Sequence, residues 1–182
     1  MSRTDARIRY TQGVLKQALL SFLQEKPINK ITVKEVCERA ELNRATFYAH
    51  YSDCFALLES IEEDLLEAFQ QSLKLVDSFD VTALIEAIYT MIEQQQEACR
   101  VLIFQNVCPN VLRRMISLAR DESISYWKRR LHHITDAELE MLYTHLSNGL
   151  MHVVVEGYEK YSREEVVRFV NRIVRCSLSQ FQ

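Results

Sequence analysis

ITVKEVCERAELNRATFYAHY, residues 31–51, is the stretch of the chain that predicts the fold. Thr32 and Glu35 form a T-x-x-E capping box, in which the threonine hydroxyl caps a helix start and the glutamate reaches back to the capping residue. Apolar residues then recur at i, i+3, i+4 and i+7, which is the spacing of one helix face. This helix should stop near Glu41 and Leu42, and Asn43 is suited to cap a second helix over residues 44–50. Two short helices joined by a tight turn predict a helix-turn-helix.

The second of these helices has one side that can pack into a core and one side that can contact a binding partner. Phe47 and Tyr51 are four residues apart and can anchor the same face. Arg44 lies in the first turn, where a helix in the DNA major groove meets base edges, and can bind a guanine with two hydrogen bonds. Tyr48 and His50 are better placed for phosphates. The predicted DNA-contacting residues are Thr32, Asn43, Arg44, Ala45, Thr46, Tyr48 and His50.

The span from about Val14 to Leu58 resembles the N-terminal domain of the TetR/AcrR family of transcriptional regulators. The matching pieces are Thr32-Val33-Lys34-Glu35-Val36, Arg39-Ala40 and Arg44-Ala45-Thr46-Phe47-Tyr48-Ala49-His50-Tyr51. The resemblance implies an all-α fold of about nine helices. It implies a three-helix helix-turn-helix domain in residues 1–51 and a helical ligand-binding and dimerisation domain in residues 52–182.

The same resemblance implies a function. Such a chain would bind a palindromic double-stranded DNA operator as a homodimer. It would most often be a repressor, released by a small-molecule effector.

Two positions depart from the family pattern. Glu41 stands in the turn where the family usually has glycine, and a left-handed backbone there would cost about 1 kcal/mol. Cys54 stands where the family usually has a lysine that touches phosphate, so that contact is absent or is supplied by N–H groups of a helix start. Cys54 is either a redox-sensing thiol with a lowered pKa or, as we expect, an inert buried thiol.

Composition favours long helices and short connections. The chain has 182 residues, is 48% hydrophobic and contains three glycines and two prolines. It has no apolar run long enough to span a membrane, and its N-terminus has no apolar signal core, so we expect a cytoplasmic protein. The five cysteines are an odd number without a C-x-x-C pair, which favours free thiols in a reducing compartment.

Charge is distributed unevenly along the chain. Residues 1–51 contain 9 Lys and Arg against 5 Asp and Glu, whereas residues 52–182 contain 13 against 20, within a net charge of −3. A basic head on an acidic body fits a molecule with one DNA-facing end, although chance asymmetry is an equal alternative.

Capping residues and apolar periodicity predict the other helices. Pro27 should end the first helix, because proline lacks an N–H and restricts the residue before it. The predicted ranges are Thr4 or Asp5 to about Gln24, a helix capped by Ser52 to about Val76, one capped by Asp80 to about Gln96, Arg100 to Asn106, Asn110 to Leu131, one capped by Thr135 to about Tyr161, and one capped by Ser162 to about Phe181.

The last two helices carry broad apolar stripes. Stripes this wide favour burial against a second copy in a four-helix arrangement about a two-fold axis, with Gly149 and Gly157 allowing close approach. A core within one chain is the alternative. The predicted dimer-interface residues are Leu139, Leu146, Leu150, Val153, Val154, Val170 and Ile173.

A polar strip runs along one face of the predicted penultimate helix and includes His145, Asn148, His152 and Glu156. It can be a solvated face, a pocket wall or, with His152 and Glu156 at i and i+4, part of a metal site that lacks an evident third ligand. No metal or cofactor is predicted. Adding the walls implied by the resemblance, the candidate effector-binding residues are Tyr89, Phe104, Trp127, His145, Asn148 and His152, with Met115 also a candidate wall.

Two other functions compete with an effector-released regulator. In one, a protein partner that binds the C-terminal body replaces the small molecule. An exposed polar strip would favour this protein-partner interpretation, whereas an enclosed strip would favour a small-molecule pocket. In the other, the chain is a helical enzyme. The sequence contains no G-x-S-x-G, no P-loop, no nucleotide-binding glycine fingerprint and no His-rich cluster.

Overall fold

The computed structural model describes residues 3–74 and 81–181, and within these ranges it contains helices and no strand. This confirms the predicted all-α fold. The helices are α1 (Arg3–Leu23), α2 (Val33–Arg39), α3 (Arg44–Tyr48), α4 (Cys54–Lys74), α5 (Val81–Gln94), α6 (Gln96–Ala98), α7 (Pro109–Lys128), α8 (Asp136–Gly157) and α9 (Arg163–Leu178). Two 3₁₀ turns, Ile28–Lys30 and Ser179–Phe181, and a π-helix, Cys99–Phe104, complete the described elements.

The chain divides into two compact units. The first contains Met1–Leu65 and Glu97–Val107, and the second contains Leu66–Gln96 and Cys108–Gln182. The division falls within α4. The boundary predicted from sequence, between residues 51 and 52, stays a prediction about domains.

In the first unit, α1 packs on α2 through an aromatic ring held between cations. The Arg39 guanidinium lies 3.5 Å from the centre of the Phe22 ring and donates to Ser21 Oγ at 2.7 Å and to Glu25 Oε1 at 3.2 Å. Lys26 Nζ lies over the same ring at 5.2 Å. The N-terminus of α2 has the predicted capping box: Glu35 N–H donates to Thr32 Oγ1 at 3.3 Å, and Thr32 N–H donates to the Glu35 carboxylate at 3.0 Å.

The end of α2 is a Schellman motif closed by a residue other than glycine. Leu42 N–H donates to the Cys37 carbonyl at 2.9 Å, and Glu41 N–H donates to the Glu38 carbonyl at 3.3 Å. These two bonds are the pair that defines the motif, which places one residue in the left-handed region. That residue is Glu41, with φ of 54°. The helix therefore ends at Arg39, two residues before the predicted stop.

The start of α4 differs from its predicted cap. Asp53 Oδ1, rather than the Ser52 hydroxyl, accepts the Ala56 N–H at 2.9 Å. Both side chains are good caps, and the helix begins at Cys54, which puts Asp53 in the capping position. The predicted end of this helix at Val76 and the predicted cap Asp80 lie outside the described residues.

The segment after α5 is less regular than expected. The predicted helix from Arg100 to Asn106 is a π-helix over Cys99–Phe104, which continues from the short helix α6. Cys99, Val101 and Leu102 of this segment belong to the first unit and are fully buried.

The second unit has its core between α5, α7, α8 and α9. Capping boxes begin α8 at Thr135 and α9 at Ser162, as predicted. Arg163 joins α9 to α5 through Glu86, at 2.9 Å, and Glu93. A Cβ on Gly157 would lie 3.3 Å from the Tyr161 ring and 3.4 Å from Val166, so glycine allows α9 to approach the end of α8.

The left-handed residue in the turn gives a stability prediction. Glu41→Gly should raise the free energy of unfolding by about 1 kcal/mol, because glycine adopts this backbone conformation without a Cβ clash. Glu41→Ala is the matched control, since it removes the carboxylate but keeps the Cβ, and it should give no such gain. The measurement is the midpoint of denaturant-induced unfolding. An equal gain from both variants would mean that the carboxylate, and not the backbone, is unfavourable there.

Candidate functional site

The helix α3 is held by a cap on one end and by aromatic anchors beneath it. Asn43 Oδ1 accepts the Thr46 N–H at 2.7 Å and the Thr46 hydroxyl at 2.9 Å. Phe47 is fully buried, and Tyr51 nearly so, with their ring centres 5.9 Å apart. Because its apolar residues face the core of the first unit, α3 presents its other side to solvent.

The predicted DNA-contacting residues fall into two groups. Arg44, Ala45 and Tyr48 are exposed on α3, and Tyr48 is 58% exposed. Within the described chain, the Arg44 guanidinium makes no hydrogen bond or ion pair. Thr46 and His50 are partly exposed. Asn43 and Thr32 reach the surface, but their side-chain oxygens serve as helix caps. The structure therefore brings the seven residues together around α2 and α3, and their contact with DNA stays a prediction.

The cap at Thr32 is also an ion-pair network. The Glu35 carboxylate accepts the Thr32 hydroxyl at 2.7 Å and the Lys26 ammonium at 2.6 Å. The Lys26 ammonium and the two Thr32 donors hold the pKa of Glu35 at about 2, below its ordinary 4.5. The hydroxyl of Thr32 thus donates to Glu35 and accepts its N–H, which leaves it little capacity for a further partner.

Cys54 is a buried thiol. It is 4% exposed, and burial raises its pKa to about 11. A thiol that stays protonated at neutral pH is a poor nucleophile, so the alternative of a redox sensor with a lowered pKa is wrong. The predicted inert thiol agrees with this environment.

A cavity lies within the second unit. Its volume is about 200 Å³, and most of its wall is apolar. The residues that line it are Phe69, Val81, Leu84, Ile88, Ile116, Ala119, Ser123, Tyr126, Trp127, Arg130, Leu131, Tyr143, Leu146, Ser147, Leu150, Met151, Val174 and Leu178. Among the candidate effector-binding residues, Trp127 is part of this wall.

The other effector candidates lie elsewhere. Tyr89 is buried against Tyr158, with ring centres 5.3 Å apart, under the Arg163 guanidinium at 4.8 Å. Phe104 belongs to the first unit, and Met115 is fully buried without lining the cavity. The polar strip does not line it either: His145, Asn148 and His152 are exposed. Apart from Trp127, sequence reasoning missed the wall of the cavity, because this wall combines five separate segments and periodicity identifies buried faces without showing where they leave a gap.

The predicted dimer residues are also divided by burial. Leu139, Leu146, Val154 and Val170 are buried inside the second unit, which leaves them no surface for a second copy. For these four, burial favours a core within one chain, and their place in a dimer interface stays a prediction. Leu150 and Val153 are half-buried, and Ile173 is 41% exposed beside Phe169 at 45%.

Neither a metal cluster nor a membrane span is found in the described ranges. Residues 3–74 and 81–181 contain no group of three His, Cys, Asp or Glu side chains placed to hold a metal ion. Among the same residues, no helix is long and apolar enough to cross a membrane.

This arrangement is that of an all-α protein with a helix-turn-helix head, and solved structures share it. A TetR transcriptional regulator from Streptococcus agalactiae 2603V is 24% identical, with a TM-score of 0.68 over 94% of this chain and 97% of that chain. The dihydroxyacetone kinase operon activator DhaS is 17% identical, with a TM-score of 0.62 over 94% and 98%. The chain therefore has the fold of TetR-family transcriptional regulators, which confirms the expected architecture.

Sequence similarity is confined to a shorter segment. The uncharacterized HTH-type transcriptional regulator YxbF of Bacillus subtilis (strain 168) is 37% identical over 62 residues. The match spans 34% of this chain and 16% of that protein. No family model matches the chain.

The lowered pKa of Glu35 predicts a pH-dependent contribution to stability. Because the pKa is lower in the folded chain, the contribution is complete above about pH 4.5 and is lost as the pH falls towards about 2. The difference in unfolding free energy between the wild type and Glu35→Gln should therefore shrink over this window. Glu38→Gln, on the same helix, is the control in a series of denaturant titrations. A difference that does not change with pH would contradict the ionic role of Glu35.

Proposed function

We propose that the protein is a TetR-type transcriptional regulator that binds a specific DNA operator through α3. The observation that carries this proposal is the division of α3 into a buried aromatic side and an exposed side bearing Arg44 and Tyr48. A short helix whose anchor residues are buried can enter the major groove as a rigid element. The 62-residue similarity to an HTH-type regulator supports the same assignment.

The hydrogen-bonding state of each side chain suggests its role on DNA. Arg44 has a guanidinium available for the O6 and N7 atoms of a guanine. The Thr46 hydroxyl donates its proton to Asn43, so it can only accept, for instance from an adenine or cytosine amino group. The Tyr48 hydroxyl and His50 are suited to phosphates, which fix the position of the helix on the duplex.

A second copy of the chain would supply the other half of a palindrome. The proposed contact is the α8–α9 groove, lined by His152, Val153, Glu156, Gly157, Lys160, Tyr161, Glu165, Val166 and Phe169, together with the adjacent Ile173. Tyr161 is 60% exposed in the single chain, so this groove leaves a large aromatic surface uncovered. Gly149 lies in mid-helix with open space where a Cβ would be, and nothing within the described part of its own chain requires glycine there. Close approach of a partner helix would explain it.

We place the effector in the cavity of the second unit, and we propose that ligand binding there releases DNA from a repressor. An apolar cavity with a few polar groups is the usual form of a small-molecule site. It supports a ligand-controlled regulator over one controlled by a protein partner, even though the polar strip of α8 is exposed as the protein-partner interpretation expected. Release requires that the ligand favour a conformation with lower affinity for DNA.

The role of Arg44 can be tested on binding sites selected from random-sequence DNA. Arg44→Ala should cost about 1–3 kcal/mol on the selected site and much less on random DNA, because the lost contact reads a base. Tyr48→Phe is the comparison: it should weaken both DNAs by the same factor if the hydroxyl holds a phosphate. Fluorescence anisotropy at several salt concentrations measures both. Equal weakening of selected and random DNA by Arg44→Ala would exclude a base-reading role.

The proposed dimer contact has a matched pair of variants. Ile173 on α9 and Leu118 on α7 are each 41% exposed. Ile173→Glu should convert a dimer to a monomer in sedimentation velocity, because a charge would be buried between the copies, whereas Leu118→Glu should stay dimeric. A dimer that survives Ile173→Glu, or a wild type that sediments as a monomer, would contradict this contact.

A further inference from the structure

The cavity in the second unit restricts the chemistry of its ligand. This inference rests on the proposed function only in placing a ligand there, and it concerns which ligand the wall can hold. A cavity of 150 Å³ accepts benzene. The present one, at about 200 Å³, has room for roughly eight to ten non-hydrogen atoms by the same standard. That is the size of one aromatic ring with a substituent, or of a short hydrocarbon chain.

Three hydroxyl groups of the wall already use their protons. Ser123 Oγ donates to the Ala119 carbonyl at 2.6 Å, and Ser147 Oγ donates to the Tyr143 carbonyl at 2.7 Å. Tyr143 Oη donates to the Ile116 carbonyl at 2.5 Å, and burial raises the pKa of this phenol to about 12, so its proton stays in place. These three hydroxyl groups can accept a hydrogen bond from a ligand. To donate one, each would have to break its hydrogen bond to a helix carbonyl.

The nitrogen donors of the wall are Trp127 and Arg130. Neither the indole N–H nor the guanidinium has a hydrogen-bond partner within the described residues. Arg130 lies over the Tyr126 ring at 4.7 Å, which holds the cation beside the cavity. Among the residues that the structure describes, no aspartate or glutamate lines the cavity to neutralise this charge. Near the end of α7, the Tyr126 and Trp127 carbonyls accept the N–H groups of residues 129–131, which reduces the repulsion of an anion by these two carbonyls.

We propose that this cavity binds a small organic acid whose carboxylate lies at Arg130 and the Trp127 indole N–H. Its hydrocarbon body would contact apolar residues of the wall such as Leu84, Ile88 and Leu146. A carboxylate offers acceptors only, which matches the two nitrogen donors that the wall presents. Monocyclic aromatic acids and acids of six to eight carbons fit the volume by the estimate of roughly eight to ten atoms.

The chain contains a single tryptophan, and it lies in the cavity wall, so its fluorescence reports binding directly. The probes are benzoate and octanoate, each compared with its neutral analogue, benzyl alcohol and 1-octanol. We expect saturable changes in emission, with the acids binding about tenfold tighter or more than the alcohols, as a charge-assisted hydrogen bond allows. Equal affinity of acid and alcohol, or no saturable change with either acid, would overturn the assignment.

Neighbouring arginines provide the control. Arg130→Met keeps an unbranched side chain but removes the charge, and it should abolish the preference for acids over alcohols. Arg129→Met removes the same charge from a residue that does not line the cavity and should keep the preference. Ala119→Leu fills part of the wall and should weaken acid and alcohol alike. If Arg129→Met removed the preference as fully as Arg130→Met, general surface charge would explain it and the site would be wrong.

A parallel titration of the DNA complex separates this inference from the proposed function. Acids that change Trp127 emission without releasing DNA would support the ligand assignment and contradict effector-controlled release. Release of DNA by neutral compounds alone, with no saturable binding of acids, would support effector control and overturn the assignment of a carboxylate ligand.

Discussion

The turn between α2 and α3 is the constraint on which the proposed DNA-binding surface depends. Two backbone bonds of the Schellman motif close α2, and Asn43 opens α3 two residues after the left-handed Glu41. With both helix ends fixed within three residues, the direction of α3 is set by local hydrogen bonds. Burial of Phe47 then fixes its rotation about its own axis. A rigid turn of this kind lets a five-residue helix, too short to be stable alone, hold side chains in a defined position.

Hydrogen-bond occupancy distinguishes structural from chemically available side chains in both units. Arg39 stacks on Phe22 and donates to two partners, and Arg163 joins α9 to α5. These cations hold helices together. Arg44 and Arg130, which have no ion-pair partner among the described residues, remain available to an external anion or base. The same distinction applies to hydroxyl groups. Those of Thr32 and Thr46 donate to side chains at helix caps, and those of Ser123 and Ser147 donate to helix carbonyls.

The errors of sequence reasoning share a physical cause. Ser52 and Asp53 are adjacent and both cap well, so only the position of the first helical turn decides between them. Leu139, Leu146, Val154 and Val170 have the spacing of a buried face, which is the same whether the cover is another helix of the chain or a second copy. The sequence places the polar strip of α8 on one face of the helix, but whether that face is exposed or covered depends on what packs beside it.

Residues 31–51 by themselves determined the capping box at Thr32, the cap at Asn43, the two short helices and the anchors Phe47 and Tyr51. These features depend on bonds and contacts within a few residues of chain. The later capping boxes at Thr135 and Ser162 were determined in the same way. Only the tertiary structure decided where the core leaves a cavity, that Arg130 and Trp127 line it, and that Ile173 and Phe169 stay exposed. Cavities and exposed patches arise from how segments distant in sequence pack, and no local pattern records that packing.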